Sequence, residues 1–407
     1  MNEESKGYLK LSNIEQLMPQ EEMLESTPHK SKMIIGLPKE LSKNENRIPI
    51  IPEAVKLLVE RGHKVLIEDG AGVNANFSNE QFAEVGANIV ISAEETYKSD
   101  IILKVAPPLV QEMEMLGKHK VLFSSLMLPE AKKSFFQKLM SQKSIALAYE
   151  YIQDKSGALP VMKSISEIIG NTSILIASKY LMSTEFGKGK LLGGFPGIIP
   201  SEVVIIGSGT VAEFAARTAL GMGASVKIFD NSIYKLRNIQ NNLGYSISTS
   251  TLHSKSLKTA LRNADVVISA KFTTHGISKC IISEDTVSKM EPGSVIIDVS
   301  IDQGGCFETS KVTNHDNPVY VKHGVTHYCV PNIASCIPNT ASCSLSNILA
   351  PMLMRISDYG GIENMLKQDR SFRKGVYIYN GILTNNYVGN TFDIPSQDLE
   401  LLMAAFR

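Results

Sequence analysis

Gly207, Gly209 and Ala212 fall in the order G-x-G-x-x-A, directly behind the apolar run Val203, Val204, Ile205, Ile206. That spacing carries a specific chemistry. The first Gly permits a tight turn, the second lets the backbone approach a pyrophosphate, and the small third residue lets a helix pack on a strand. Thr210 sits at the mouth of the helix expected over 211–222, whose positive end and free N–H groups suit an anion. Asp230 ends the next strand, 23 residues after Gly207. A carboxylate there accepts hydrogen bonds from adenosine ribose hydroxyls and repels a 2′-phosphate, which favours NAD over NADP. The competing account is a Gly-rich turn in a Rossmann-like domain that binds nothing. Strand, helix and acidic residue occurring together argue against it. Lys235 and Arg237 lie just beyond Asp230 and soften the NAD preference, unless they only line a solvated helix face.

Other chemistry-bearing residues point to less. His323, His327 and Cys329 are close in sequence, but no Cys-x-x-Cys or His-Glu-x-x-His accompanies them. Packing roles are expected, and no metal site. Cys329, Cys336 and Cys343 recur every seven residues, yet Pro331 and Pro338 break any single helix through them. With Cys280 and Cys306 they make five cysteines, widely spaced and odd in number. That is no disulfide framework, and a reducing, cytoplasmic setting is expected.

The elements that must position these residues alternate between strand and helix. MIIGL, KVLIE, NIVI, IILKV, KVLFSS and SIALA read as strands, with helices between them. Pro52 opens one helix and Gly62 closes it. A long helix is expected from about Val161 to Phe186, with Ile165, Ile168, Ile169, Ile174, Leu175 and Leu181 roughly on one face. The Gly- and Pro-rich stretch GKGKLLGGFPGIIPS then precedes the fingerprint strand. DVVISA and SVIIDVS continue a second parallel sheet, and a last long helix begins near Asn339. The fold class expected is α/β with parallel sheets.

Bulk properties exclude several classes. The 407 residues carry 41 Lys+Arg against 41 Asp+Glu, 43% are hydrophobic and 20% charged. The apolar content excludes global disorder, and zero net charge argues against a charge-driven nucleic-acid binder. No apolar run of about 18 residues occurs, so no membrane helix is expected. The first 32 residues lack a signal-peptide pattern and read as an extension, either a mobile tail or a short helix packed on a neighbour.

Several blocks together resemble the alanine dehydrogenases, relatives of the nucleotide-binding subunit of proton-translocating transhydrogenase. They are GLPKELSKNENRIPIIPEAV, DGAG, ILKVAPP, GALPVMKSISEIIG, LLGGFPGIIPSEVVIIGSGT, IDQGGCFETS and HYCVPNIASCIPNTAS. The likeness runs from about Met33 to the C-terminal region. The GALP, GGFPG-like and IDQGG blocks fit the dehydrogenase branch better. The resemblance implies two Rossmann-like domains: a substrate domain from residues 33–160 and 339–407, interrupted by an NAD-binding domain over 161–338. It implies a cytoplasmic homohexamer that interconverts L-alanine and NAD with pyruvate, ammonium and NADH.

Roles follow residue by residue from the same resemblance. Arg47 matches the arginine that holds the substrate carboxylate, and a guanidinium fork suits that task. Lys104 matches the substrate lysine that polarises the carbonyl. Asp302 matches a residue at the nicotinamide end of the cleft and is expected to assist proton transfer. Its neighbours Gly304 and Gly305 suggest a close backbone approach to a ligand. Ser166 suits the cofactor phosphates, Asn332 the nicotinamide amide, and Lys235 the adenosine side. One departure is sharp. Met127 stands where the family has its catalytic histidine, and a thioether transfers no proton. Lesser departures at Pro49, Ile51, Ala106, Ile333 and Ala334 bear on the acyl pocket. Three readings follow: an alanine dehydrogenase, a related oxidoreductase acting on another amino or 2-oxo acid, or an NAD-binding member without turnover.

Overall fold

The computed structural model describes residues 31–126, 131–244, 246–252, 255–271 and 281–405. The N-terminal extension up to residue 30, Met127, Pro129 and Cys280 lie outside the described residues. The α/β expectation holds, in the form of two mainly parallel sheets.

The first sheet contains β1 (Ile34–Leu37), β2 (Lys64–Glu68), β3 (Asn88–Val90), β4 (Ile101–Leu103), β5 (Val121–Ser124) and β6 (Ile145–Ala148), with β14 (Val376–Tyr379) and β15 (Ile382–Leu383). Its order is β15-β14-β6-β5-β4-β1-β2-β3, parallel from β6 to β3, with an antiparallel hairpin at the other edge. β5 and β6 are buried at every residue, as strands covered on both faces must be. Strand order reverses direction at β1 and β4, where the loops leaving the two strands part and open a crevice. Arg47 lies in the loop after β1, and Lys104 directly follows β4.

The second sheet contains β7 (Glu202–Ile206), β8 (Ser225–Phe229), β9 (Ser248–Ser250), β10 (Val266–Ser269), β11 (Val295–Asp298), β12 (Val319–Lys322) and β13 (Val325–Tyr328). Its order is β12-β13-β11-β10-β7-β8-β9, and only β12 runs antiparallel. The switch point here lies between β7 and β10, and β7 delivers Gly207.

Among the remaining elements, four helices concern the site: α1 (Val110–Met115), α2 (Pro160–Met182), α3 (Thr210–Gly221) and α4 (Pro338–Asp358). The expected long helix is thus α2, which ends at Met182 rather than Phe186. Gly170 in α2 lets it lie directly on α3, since a Cβ there would stand 2.6 Å from the Val211 carbonyl oxygen. α4 brings the chain back to the first sheet. Its Ser342 and Ser346 share one face by their i,i+4 spacing and accept from the N–H groups of Ile48 (2.9 Å) and Ile51 (3.2 Å). The hydroxyl of Ser335 accepts likewise from Asn46 N–H at 2.8 Å. These three serines fix the loop that carries Arg47. Where the extension becomes described, the Ser31 N–H donates to the Ser357 carbonyl at 3.2 Å. Among the described residues no helix is long and apolar enough to cross a membrane.

Candidate active site

In the second sheet β7 runs into a glycine turn at the head of α3. Gly207 adopts φ +110°, and a Cβ there would stand 2.6 Å from the Ala270 carbonyl oxygen. Only glycine meets both demands. Its N–H donates to the Phe229 carbonyl at 2.8 Å, which ties the turn to β8. Gly209 caps α3 and differs from Gly207: a Cβ built on it meets nothing within 4 Å. The space a side chain would fill is open in front of a helix N-terminus, as an approaching pyrophosphate requires. Thr210 is the first residue of α3, and Ala212 is fully buried under it. Ser166 lies one helical turn before Gly170, so α2 carries it towards the start of α3. These residues fit a dinucleotide.

Asp230 follows β8, and one of its oxygens accepts from Ser232 N–H at 2.8 Å. The second oxygen retains acceptor capacity for ribose hydroxyls. Lys235 is exposed in the first turn of the next helix. Arg237 lines a hollow of about 340 Å³ with Ile233, Gln240 and Thr251.

The first sheet builds a buried charge cluster. Arg47 donates through Nε (2.8 Å) and Nη2 (2.7 Å) to the two carboxylate oxygens of Glu45. Burial alone would lower the guanidinium pKa, but Glu45 outweighs it and the net shift is upward. The Glu45 carboxyl, despite its own burial, is held below its ordinary value by Arg47. Lys104 is 1% exposed and bonds Glu112 Oε1 at 2.8 Å and Glu40 Oε2 at 3.1 Å. Glu112 comes from α1 and also accepts from Tyr97 Oη and Leu109 N–H. Glu40 accepts from Val105 N–H at 2.5 Å and Ala106 N–H at 3.4 Å. Tyr149 Oη donates to the Val105 carbonyl at 2.6 Å and steadies the same strand end. Arg47 and Lys104 are therefore brought into one cluster, and both are already paired. The sequence singled out the cations. It gave no sign of Glu40, Glu45 or Glu112.

The two halves meet at Asn332. This residue has left-handed φ and ψ of 57° and 50°, which aims its amide at the first sheet's loop. Its Nδ2 donates to Glu45 Oε2 at 2.9 Å and to the Asn44 carbonyl at 3.1 Å. Above this contact opens a cleft of about 280 Å³, lined among others by Asn44, Glu45, Ala106, Phe135 and Asn332. That volume lies near the lower end of small-molecule sites, roughly 300–1,000 Å³. Glu45 lines the cleft, whereas Arg47 and Lys104 are buried and do not line it.

Asp302 is exposed on the turn that follows β11. Of the two glycines behind it, Gly304 takes a left-handed φ of +99°, and Gly305 is crowded by its own turn. Asp298, fully buried, accepts from Ser300 N–H, Cys306 N–H and Ser310 Oγ. A Cβ on Gly305, which has φ +83°, would stand 3.0 Å from Asp298 Oδ2 and from Ser310 Cβ. The crowding is internal to the turn.

The histidines are held by the fold. His327 is fully buried, with Nε2 2.8 Å from Thr309 Oγ1 and Nδ1 2.9 Å from the Val325 carbonyl. Burial pushes it down to about 4. His323 pairs with Glu284 at 2.7 Å on the surface. His315, which the sequence did not single out, lies against this junction: its N–H donates to Asn44 Oδ1, and its Nδ1 is 3.3 Å from Cys336 Sγ.

Comparison with known proteins agrees with this architecture. Residues 36–169 match the family model "Alanine dehydrogenase/PNT, N-terminal domain", and residues 173–386 match "Alanine dehydrogenase/PNT, C-terminal domain". An alanine dehydrogenase of Mycolicibacterium smegmatis is 36% identical over 373 residues, covering 91% of this chain and 100% of the relative. One from Methanococcus maripaludis is 38% identical, covering 89% of this chain and 97% of its own. Among solved structures, an L-alanine dehydrogenase superposes with a TM-score of 0.84 at 35% identity, covering 89% of this chain and 99% of that one. A transhydrogenase from Sinorhizobium meliloti shares the fold, with a TM-score of 0.74 at 20% identity over 86% of this chain and 99% of its own. Matched over both halves and across most of its length, the chain belongs to the alanine dehydrogenase/PNT family.

Proposed function

We propose that the chain is an NAD-dependent alanine dehydrogenase, converting L-alanine, NAD and water reversibly to pyruvate, ammonium and NADH. The observation that carries the reading is the pairing of two switch-point sites, one with an open cradle at Gly209 and one with Arg47 and Lys104 together. The alanine dehydrogenase names of its relatives set the substrate.

Gly207, Gly209 and Thr210 hold the pyrophosphate, with Ser166 beside it. Asp230 takes the ribose hydroxyls, Lys235 the adenosine side and Asn332 the nicotinamide amide. Bound NAD supplies the hydride acceptor. Arg47 has five N–H donors and spends two on the Glu45 side chain, so three remain for a substrate carboxylate. Lys104 polarises the substrate carbonyl. Asp302, exposed at the end of the second sheet, moves the proton through a water in place of the histidine that Met127 replaces. In this reading residues 33–160 and 339–407 form the substrate domain and residues 161–338 the NAD domain. The resemblance extends it to a cytoplasmic homohexamer, which light scattering of the purified chain tests.

The deciding assay offers NADH, ammonium and a panel of 2-oxo acids, and follows NADH absorbance. Oxidation with pyruvate is expected, and its absence refutes the assignment. Turnover with another acid alone selects a related amino-acid dehydrogenase. The capping of both cations by resident carboxylates favours a second reading, NADH binding without turnover on any acid.

A further inference from the structure

The charge count around Lys104 is unusual for a site that must accept an anion. Arg47 and Lys104 supply two cations, while Glu40, Glu45 and Glu112 supply three carboxylates. The side chains of all five are at most 9% exposed. A substrate carboxylate entering this cluster adds a fourth negative group to two positive ones, where little water screens them.

The three carboxylates are not equivalent. Glu45 is committed to Arg47 through two parallel bonds and to Asn332 through a third. Glu112 is committed as well, taking Tyr97 Oη, Leu109 N–H and Lys104. Glu40 is linked to both cations: it bonds Lys104 and lies in the field of Arg47 and of Glu45. Its hold on Lys104 is the longer one, 3.1 Å against 2.8 Å for Glu112.

We propose that Glu40 is the proton-accepting partner of substrate binding: when the carboxylate of a 2-oxo acid engages Arg47 and Lys104, Glu40 takes one proton from solvent and yields its place on Lys104. The step forms one O–H bond on Glu40 and replaces one Lys104 carboxylate contact by another. No electron moves, and cluster plus substrate keep the net charge of the free cluster. Glu40 acts through Lys104 and is a positioning residue. The inference rests on the dehydrogenase reading above.

The electrostatics agree. Burial pushes the Glu40 carboxyl up to about 7 against the pull of Lys104, with Glu45 adding to the rise. The other groups facing the cluster are Tyr97 and Tyr149, both raised by burial, and His315, lowered by burial on the far side of Glu45. A group with a pKa near 7 changes charge between pH 6 and 8, which the raised tyrosines do not, while the histidine is shifted downward, away from that range.

The test is calorimetry of pyruvate binding to the enzyme–NADH complex without ammonium, in two buffers of different ionisation enthalpy. At about pH 8 uptake approaching one proton per site is expected, and at about pH 6 almost none. Above about pH 7 the pyruvate Kd should rise about tenfold per pH unit. Glu40→Gln should abolish the uptake and flatten the pH dependence while NADH still binds. The wild-type proton count stands by itself if that variant fails to fold. Pyruvate binding without uptake overturns the Glu40 assignment and leaves the dehydrogenase reading intact, as does unchanged uptake in Glu40→Gln. Failure of pyruvate to bind at all overturns both.

Discussion

The Asn332 side chain donates to the Glu45 carboxylate across 2.9 Å, joining residues 287 positions apart in the chain. One oxygen of that carboxylate also accepts from Arg47 Nη2, so the residue expected at the nicotinamide is coupled to the residue expected at the substrate. A shift of either loop on ligand binding is felt by the other. Glu45→Gln should leave a buried guanidinium without its charge partner. Removing one member of a buried pair costs about 3–5 kcal/mol, and urea unfolding measures it. Asn332→Ala should cost less, about 1–2 kcal/mol. The double variant should fall short of the sum, because both changes disturb the same carboxylate.

Gly207 and Gly209 separate folding from binding. Gly207→Ala forces a Cβ to 2.6 Å from the Ala270 carbonyl oxygen, at a φ of +110°. It should lower stability by about 1–3 kcal/mol. Gly209→Ala meets nothing within 4 Å and keeps an ordinary φ of −86°. Its melting temperature should barely change, while the NADH Kd rises about tenfold or more, since the new methyl occupies the cradle. Fluorescence titration with NADH beside thermal unfolding reads both. Equal NADH affinity in Gly209→Ala would remove that residue from the cofactor site.

The parallel core was legible in the sequence because strands covered on both faces need continuous apolar runs, and VLFS, IALA and EVVII are such runs. The edge hairpins β12–β13 and β14–β15 were not, since short antiparallel edges carry mixed residues such as the Lys322–Gly324 turn. The turn at Gly207 and Gly209 was legible because its spacing is local. Arg47 and Lys104 were named only through family likeness, and their state was hidden. Glu40 and Glu45 reach them from the loop after β1 and Glu112 from a helix, and nothing in one-dimensional spacing shows that three carboxylates will converge. Ser335, Ser342 and Ser346 were equally silent. A serine in a helix reads as a small neutral residue until the loop that needs its oxygen is in place.

Asp230 should set cofactor preference. One of its oxygens is occupied by Ser232 N–H, so Asp230→Ala removes both a turn contact and the ribose acceptor. Loss of a hydrogen bond to a charged group costs about 1.5–3 kcal/mol, a tenfold to hundredfold rise in NADH Kd. NADPH should lose less or gain, because the repulsion of its 2′-phosphate disappears while Lys235 stays nearby. An unchanged NADH-to-NADPH preference would refute the ribose role.

Two buried groups should pull acid stability in opposite directions. His327 titrates at about 4 in the fold against 6.5 for an ordinary histidine, so the unfolded chain binds the proton first as pH falls. Its contribution is present above about pH 6.5 and lost on the way to pH 4. Glu40 titrates at about 7 against 4.5, so the folded chain binds the proton first and gains stability as pH falls over that range. At 1.36 kcal/mol per unit, each amounts to about 3 kcal/mol. His327→Gln should therefore differ most from wild type near pH 7, and the gap should narrow towards pH 4.5. Glu40→Gln, a neutral amide in place of the protonated acid, should resemble wild type most at low pH, and wild type should lose stability relative to it as pH rises from about 4.5 to 7. Urea midpoints at half-unit steps of pH follow both curves. Parallel curves for wild type and either variant would show that the group does not titrate between folded and unfolded states, and for Glu40 would remove the proton-uptake role with it.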